Sequence, residues 1–185
     1  MNKGPIFILT GTPASGKTTV SKALLRQFPF GTHIPVDLLR GLVVSGLSNP
    51  IGSWDDETDR QFRLARDSAA LIARTYAQQG FAVVIDDVIF PDSIDLHYAA
   101  LFAMFDVYRI LLRPTVAATI ARNRARHIDV DNAQLEKIIE PIYNHFATFD
   151  LAKLRRDGWH IIDSSDCSIE ETVSELMAPV RDKPS

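Results

Sequence analysis

One ten-residue stretch, GTPASGKTTV at 11–20, constrains the fold of this chain more than any other part of the sequence. It follows the apolar run PIFILT and satisfies the pattern G-x-x-x-x-G-K-[ST] in full, through Gly11, Gly16, Lys17 and Thr18. In a loop of this kind, successive backbone N–H groups point inward around a phosphate, and glycines permit that backbone path. The N-terminus of the following helix adds partial positive charge. The stretch therefore predicts a nucleoside triphosphate site between a strand and a helix.

Two side chains of this loop have distinct predicted roles. Lys17 reaches the β- and γ-phosphates, and the Thr18 hydroxyl ligates Mg²⁺. Thr19 cannot take the place of Thr18 at this spacing. The residues expected to contact the nucleotide phosphates are Gly11, Thr12, Pro13, Ala14, Ser15, Gly16, Lys17, Thr18 and Thr19.

Length and composition set the broad class of the protein. A chain of 185 residues suits one compact domain, and its 46% hydrophobic content can form a sizeable core. The net charge of -3 and the pI near 5.9 argue against a nucleic-acid-binding surface. One cysteine, Cys167, excludes an internal disulfide, and no apolar run reaches the length of a membrane span. We expect a soluble, cytoplasmic monomer or homodimer without membrane association.

Apolar runs typical of buried strands alternate with helical segments along the whole chain. The strands are predicted at 5–10, 32–36, 81–86, 106–113 and 159–163. The helices are predicted at 16–28, 55–80, 91–105, 114–126 and from Ser168, where Ser168 and Glu171 form a capping box. In the long helix the predicted buried face consists of Phe62, Ala65, Ala69, Ile72, Ala73 and Tyr76. This alternation predicts an α/β fold, a parallel sheet with helices on both faces.

The segment HIPVDLLR places Asp37 at the carboxyl end of the second strand, where open α/β sheets bind ligands. A carboxylate there can accept the proton of an attacking hydroxyl group. Arg40, one helical turn further on, can hold an anionic or polar acceptor. The alternative is that Asp37 caps a helix, since strand-to-helix turns favour Asp. Position alone does not decide between these two interpretations.

The segment VVIDDVIF ends a buried strand with two carboxylates, Asp86 and Asp87. A carboxylate in this position orients a water of Mg²⁺ in P-loop proteins. Because side chains alternate along a strand, only one of the two carboxylates is expected to face the metal. We favour Asp86 for Mg²⁺ and Asp87 for the acceptor side, although alternation alone does not decide which of the two it is. The alternative is that both are turn-forming acids.

The segment ARNRAR places Arg122 and Arg126 four residues apart, on one helix face, while Arg124 points elsewhere. Arginines that approach on closure can stabilise the charge of a transferring phosphoryl group. The alternative is a solvated basic helix end, which the helix dipole favours.

Taken in order, the P-loop, VD after the second strand, DD after the third and LLRP followed by R-x-x-x-R resemble the chloramphenicol phosphotransferase-like kinases. These belong with shikimate kinase, gluconate kinase and zeta-toxin proteins to a group of small P-loop kinases. The resemblance spans residues 5 to about 178. It implies a three-layer fold with strand order 2-3-1-4-5, ATP and Mg²⁺ as cofactors, and a small-molecule hydroxyl acceptor.

The resemblance also implies roles for particular segments. It makes Asp37 the base and places Arg122 and Arg126 in a lid around 114–132. It places adenine between the lid helix and the loop SSDC, and an acceptor segment around 37–66. In that segment, besides Asp37, Arg40 and Asp87, we name Trp54 and Arg60 as candidate substrate contacts. Trp54 can stack on a flat substrate or anchor its loop, and Arg60 can face the acceptor or solvent.

The acceptor itself stays open at the level of sequence. One alternative is a nucleotide or nucleotide-sugar kinase with zeta-toxin-like activity. Another is a nucleotide-gated binding module, although the sequence lacks the switch and guanine-reading motifs of GTPases. A nucleic-acid end kinase is a further alternative, which the acidic pI disfavours.

Overall fold

Five parallel strands form one sheet, in a computed structural model that describes residues 2–51, 54–125 and 132–181. The strands are β1 (Ile6–Thr10), β2 (Gly31–Pro35), β3 (Ala82–Asp86), β4 (Val107–Leu112) and β5 (Trp159–Ile162). The helices are α1 (Lys17–Leu25), α2 (Val36–Arg40), α3 (Asp56–Gln78), α4 (Ile94–Phe102), α5 (Val116–Arg124), α6 (Asn132–Ala147), α7 (Leu151–Arg156) and α8 (Ile169–Arg181). The strand order is β2-β3-β1-β4-β5, as predicted.

The register of the sheet brings the ends of three strands to one edge. Leu9 of β1 and Pro35 of β2 both pair with Asp86, the last residue of β3. The phosphate loop, which follows β1, therefore starts beside the residues that follow β2 and β3. Because all strand pairs are parallel, their carboxyl ends lie at this same edge.

Alternate residues of the central strands enter two separate cores. Ile6 and Ile8 of β1 belong to a cluster with side chains of α3, α4 and α7, whereas Phe7 and Leu9 belong to a cluster with side chains of α1 and α8. Both faces of β1 and β3 are buried, which explains why these strands read as continuous apolar runs. The result is the predicted three-layer α/β/α arrangement.

The buried face of α3 carries smaller side chains than predicted. Four of its residues in steps of four are alanines with at most 5% of their surface exposed: Ala65, Ala69, Ala73 and Ala77. The prediction that Tyr76 lies on this face is wrong, since Tyr76 is 42% exposed, and Ile72 is only half-buried. Small side chains let this long helix approach the sheet closely, and Ala77 takes the place assigned to Tyr76.

Three helices were not assigned from the sequence: α6 and α7, and also α2, which entered only as the alternative in which Asp37 caps a helix. Two of them are short, with five residues in α2 and six in α7. The third, α6, contains Pro141 in its interior, and an interior proline normally indicates a helix end. Pro141 lies on the exposed side of α6, and the helix continues through it. No helix among the described residues is long and apolar enough to span a membrane.

The predicted capping box at the start of α8 is confirmed. Ser168 Oγ accepts a hydrogen bond from the Glu171 backbone N–H at 3.1 Å, and Glu171 Oε2 accepts from the Ser168 N–H at 2.7 Å. We expect Ser168→Ala to lower the free energy of unfolding by about 0.5–2 kcal/mol, because the Glu171 N–H group loses its partner. Urea denaturation measures this loss. Ser174→Ala, on an exposed site in the same helix, should change it little; equal losses would contradict the cap.

Candidate active site

The phosphate loop between β1 and α1 has the backbone that an anion cradle needs. Gly11 has φ 148°, and a Cβ added there would lie 2.3 Å from the Leu112 carbonyl oxygen, so β4 requires glycine at this position. Gly16 and Ala14 also have positive φ, at 100° and 63°. Turns of this kind direct consecutive N–H groups into one concavity. The loop therefore has the conformation that the sequence pattern predicts.

The side chains of the loop fit a bound phosphate group. Lys17 is buried, and its Nζ donates to the carbonyl oxygens of Gly11 and Thr12 at 3.0 and 2.9 Å. Thr12 Oγ1 and Ser15 Oγ are buried and find no hydrogen-bond partner among the described residues. Buried hydroxyls normally have partners, so this loop retains hydrogen-bonding capacity for a ligand.

Thr18 and Asp86 meet at the predicted metal position. Thr18 Oγ1 donates to Asp86 Oδ2 at 2.7 Å, and both oxygens suit Mg²⁺. His33 Nε2 lies 3.2 Å from the same carboxylate oxygen, a contact that the sequence interpretation missed. Burial alone would raise the pKa of Asp86, but the hydrogen bond to His33 and the charge of Lys17 outweigh it, so this pKa is lowered. The Asp86 carboxylate is thus held ionised, as a metal ligand must be.

Asp37 lies in the first turn of α2, two residues beyond the Pro35–Asp86 pair. Pro35, not Asp37, is the N-cap of α2, and no side chain caps this helix, so the capping interpretation of Asp37 is wrong. Asp37 is exposed by surface area, but the protein atoms around its carboxylate withdraw water from it and raise its pKa. The charge of Lys17 opposes this rise, and those of Asp87 and Asp86 add to it.

Asp87 is buried and turned toward α3. Its Oδ2 accepts a hydrogen bond from Arg66 Nε at 2.7 Å, and its Oδ1 accepts from the Val88 backbone N–H at 2.7 Å. Sequence reasoning missed Arg66, which lies 21 residues away on α3 and carries no local motif. A direct contact from Asp87 to an acceptor therefore remains a prediction, while its contact with Arg66 is a feature of the fold.

Arg122 of α5 connects the phosphate loop to the loop after β5. Its guanidinium donates to the carbonyl oxygens of Ser15 at 3.4 Å, Ser164 at 2.5 Å and Ser165 at 3.3 Å. Arg124 instead pairs with Glu136 of α6, which agrees with its predicted different direction. Arg126, the second predicted lid arginine, lies outside the described residues, so the structure does not place it.

A cavity of about 340 Å³ opens beside Arg122, between α5 and the loop after β5, where the family resemblance implies adenine. Its walls come from the phosphate loop, α1, α5 and the segment from Ser164 into α8. The residues that line it are Ala14, Ser15, Gly16, Thr19, Val20, Arg122, Ala125, Ser164, Cys167, Ser168, Ile169 and Thr172. Its size and mixed walls are typical of a small-ligand site.

The remaining predicted substrate contacts are dispersed along the acceptor segment. Arg40 donates to the Ser48 carbonyl oxygen at 2.8 Å and lies over the Phe62 ring, at 4.8 Å from its centroid. Trp54 stacks on the same ring at 5.1 Å and remains 57% exposed. Arg60 pairs with Glu57 on the exposed surface of α3. Arg40 and Trp54 thus share one aromatic wall, whereas Arg60 faces its own helix.

The profile of the family "chloramphenicol phosphotransferase-like protein" matches residues 4–144. A search of curated proteins finds no match.

Similar solved structures include a shikimate kinase from Bacteroides thetaiotaomicron, with a TM-score of 0.64, 18% identity and coverage of 96% of this chain and 98% of that chain. A gluconokinase from Sinorhizobium meliloti 1021 has a TM-score of 0.63, 13% identity and coverage of 98% and 94%. The tunicamycin resistance protein of Deinococcus radiodurans has a TM-score of 0.61, 15% identity and coverage of 96% of both chains. At these identities the likeness shows the fold alone.

Proposed function

Since the chain belongs to the family of chloramphenicol phosphotransferase-like proteins, we propose that it transfers the γ-phosphate of ATP to a hydroxyl group of a small molecule. The observation that carries this proposal is the position of Asp37. Asp37 lies at the same edge of the sheet as the phosphate loop and Asp86, and the charge of Lys17 acts on its carboxylate. A proton acceptor beside a phosphate cradle is what a kinase needs and a simple nucleotide-binding module does not.

The nucleotide would extend from the phosphate loop into the cavity beside Arg122. The loop N–H groups and Lys17 would hold the β- and γ-phosphates. The adenine ring would enter the cavity lined by Ile169 and Thr172. Thr18 and Asp86 would hold Mg²⁺. Mg²⁺ would neutralise charge on the phosphate oxygens during the reaction.

The proposed step balances without a covalent intermediate on the protein. Asp37 accepts the proton of the acceptor hydroxyl as that oxygen forms a bond to the γ-phosphorus. The bond between the γ-phosphorus and the bridging oxygen breaks, and ADP leaves. Lys17 stabilises negative charge on the phosphoryl oxygens, so most of the catalysis lies in positioning and electrostatics.

Acceptor-stimulated release of ADP tests this function. We expect purified protein with MgATP to release ADP faster when a suitable hydroxyl compound from a mixed panel is added. ADP release that no acceptor stimulates, together with ATP-dependent capture of a partner protein, would instead support a nucleotide-gated binding module.

Arg122→Ala should lower kcat/KM for ATP. The variant loses the hydrogen bonds from a charged side chain to the carbonyl oxygens of Ser15 and Ser164. We expect kcat/KM for ATP to fall by about 10- to 100-fold, because hydrogen bonds to charged groups contribute about 1.5–3 kcal/mol each. Steady-state kinetics with varied ATP measure this effect.

Arg124→Ala is the matched control, since Arg124 lies two residues away and pairs with Glu136 instead of the phosphate loop. It should stay within about twofold of the wild-type kcat/KM, because exposed ion pairs contribute about 0–1 kcal/mol. Equal losses in both variants would show that Arg122 acts only through the stability of α5.

A further inference from the structure

Arg66 of α3 forms a buried ion pair with Asp87, which follows β3. Arg66 Nε donates to Asp87 Oδ2 at 2.7 Å, and the NH2 group donates to the Val88 carbonyl oxygen at 3.0 Å. The two charged side chains are only 11% and 1% exposed. Removal of one partner from a buried pair leaves an uncompensated charge, so the pair holds its arrangement. The Arg66 guanidinium is therefore engaged before any acceptor arrives.

This ion pair adjoins the acceptor side of the site. The charge of Asp87 acts on Asp37, the proposed proton acceptor. Arg66 lies 5.3 Å from the centroid of the Phe62 ring, the same ring that Arg40 covers at 4.8 Å. Arg40, in turn, acts on Asp37 electrostatically. Arg66 and Asp87 thus form one end of the wall along which an acceptor would approach Asp37.

Two of the other three arginines of the acceptor segment also have carboxylate partners. Segment 37–66 contains four arginines and no lysine. Arg60 pairs with Glu57, and Arg63 pairs with Asp59, both on the outer surface of α3. Among the described residues Arg40 pairs with no carboxylate: it donates to the Ser48 carbonyl oxygen at 2.8 Å, and its buried Nε has no hydrogen-bond partner. An acceptor with its own carboxylate or phosphate would find three of the four arginines paired with carboxylates, and the Asp37 carboxylate would repel it.

We propose that Asp87 determines acceptor specificity: by occupying Arg66 it excludes hydroxyl compounds that carry a carboxylate or phosphate and leaves the site to uncharged ones. The inference rests on the proposed function, because it takes the surroundings of Asp37 as the acceptor site. It argues against the alternative of a nucleotide or nucleotide-sugar kinase, because the acceptors of such kinases carry phosphate. It also gives Asp87 a role on the acceptor side without direct contact with the acceptor.

Binding of matched charged and uncharged polyols tests the proposal without knowledge of the natural acceptor. The protein is first saturated with Mg²⁺ and ADP, so that the phosphate loop is filled. Isothermal titration then compares gluconate with glucitol, and shikimate with its methyl ester. For the wild type we expect each anion to bind no more tightly than its uncharged counterpart.

Asp87→Asn should reverse this preference. The amide keeps the shape of the carboxylate but releases the charge of Arg66, so we expect the anions to bind about tenfold more tightly, or more, than to the wild type. The double variant Arg66→Gln with Asp87→Asn removes both charges and should lose this gain. It is the matched control for anions that bind elsewhere, for example beside Arg122.

Three outcomes would overturn the proposal: a wild type that prefers the anions, an Asp87→Asn variant with no gain, or a double variant that retains the gain. Thermal unfolding verifies that each variant is folded. If Asp87→Asn does not fold, the wild-type comparison still decides, because tighter binding of the anions contradicts the proposal and equal or weaker binding supports it. Failure of the proposed function is a separate result, namely no transfer of phosphate to any hydroxyl compound.

Discussion

Lys17→Ala will reduce phosphoryl transfer by about 10³-fold, because the variant loses the positive charge that is proposed to face the transferring phosphate. Lys17 is buried in the phosphate loop, and its Nζ donates hydrogen bonds to the carbonyl oxygens of Gly11 and Thr12. A bound phosphate at the same concavity would lie within reach of this amine. The measurement is kcat/KM for ATP in a coupled ADP assay, together with ADP affinity from titration calorimetry.

The control for this variant is Lys22→Ala on the same helix. Lys22 is exposed in the last turn of α1 and contacts no part of the phosphate loop that the structure describes. Its loss should leave kcat/KM unchanged within error, since exposed substitutions rarely shift stability by more than about 0.5 kcal/mol. A Lys17→Ala variant that is folded and keeps wild-type turnover would contradict the assignment of the phosphate site.

Asp37→Asn will separate ATP binding from transfer. The amide cannot accept the proton of the acceptor hydroxyl, so we expect transfer to fall by about 10²–10⁴-fold. Asp37 is not a phosphate-loop residue, so the affinity for ATP should stay within a few-fold of the wild type. Asp95→Asn, an exposed acid in the first turn of α4, is the matched control and should retain full activity. Full transfer activity in folded Asp37→Asn would remove Asp37 from the mechanism.

The pH dependence of the wild type follows from the same residue. The pKa of Asp37 is raised because the surrounding protein withdraws water from it and because the charges of Asp87 and Asp86 act on it. A base works only when deprotonated, so the rate should fall as the pH drops through this raised pKa and level off above it. The residual transfer of Asp37→Asn should lack this fall, which a pH profile of kcat in both proteins would reveal.

Most of the fold was predictable because its central strands are buried on both faces. β1 and β3 consist of residues that each face one of two cores, and such strands appear in the sequence as continuous apolar runs. Two of the helices that were missed, α2 and α7, are too short to show periodicity. The third, α6, is amphipathic but contains Pro141, and an interior proline normally indicates a helix end.

The sequence predicts the site residues that belong to local motifs, but not the contacts between residues far apart in the chain. The phosphate loop is one contiguous motif, and the position of Asp37 and Asp86 follows from the end of a strand. The contacts of His33 with Asp86 and of Arg66 with Asp87 join residues 53 and 21 positions apart, so no local spacing indicates them. A polar residue near the carboxyl end of β2 was the one available signal for His33. Arg66 had none, because a helical arginine is usually solvated.

The fate of the γ-phosphate tests the central proposal most directly. Protein, MgATP and a panel of uncharged hydroxyl compounds are followed by ³¹P NMR, with Asp37→Asn in parallel. We expect a new phosphate monoester resonance to grow in step with ADP for the wild type and to be reduced by about 10²–10⁴-fold for the variant. Inorganic phosphate as the sole product, formed equally by both proteins and with every acceptor, would contradict a phosphotransferase and indicate an ATPase.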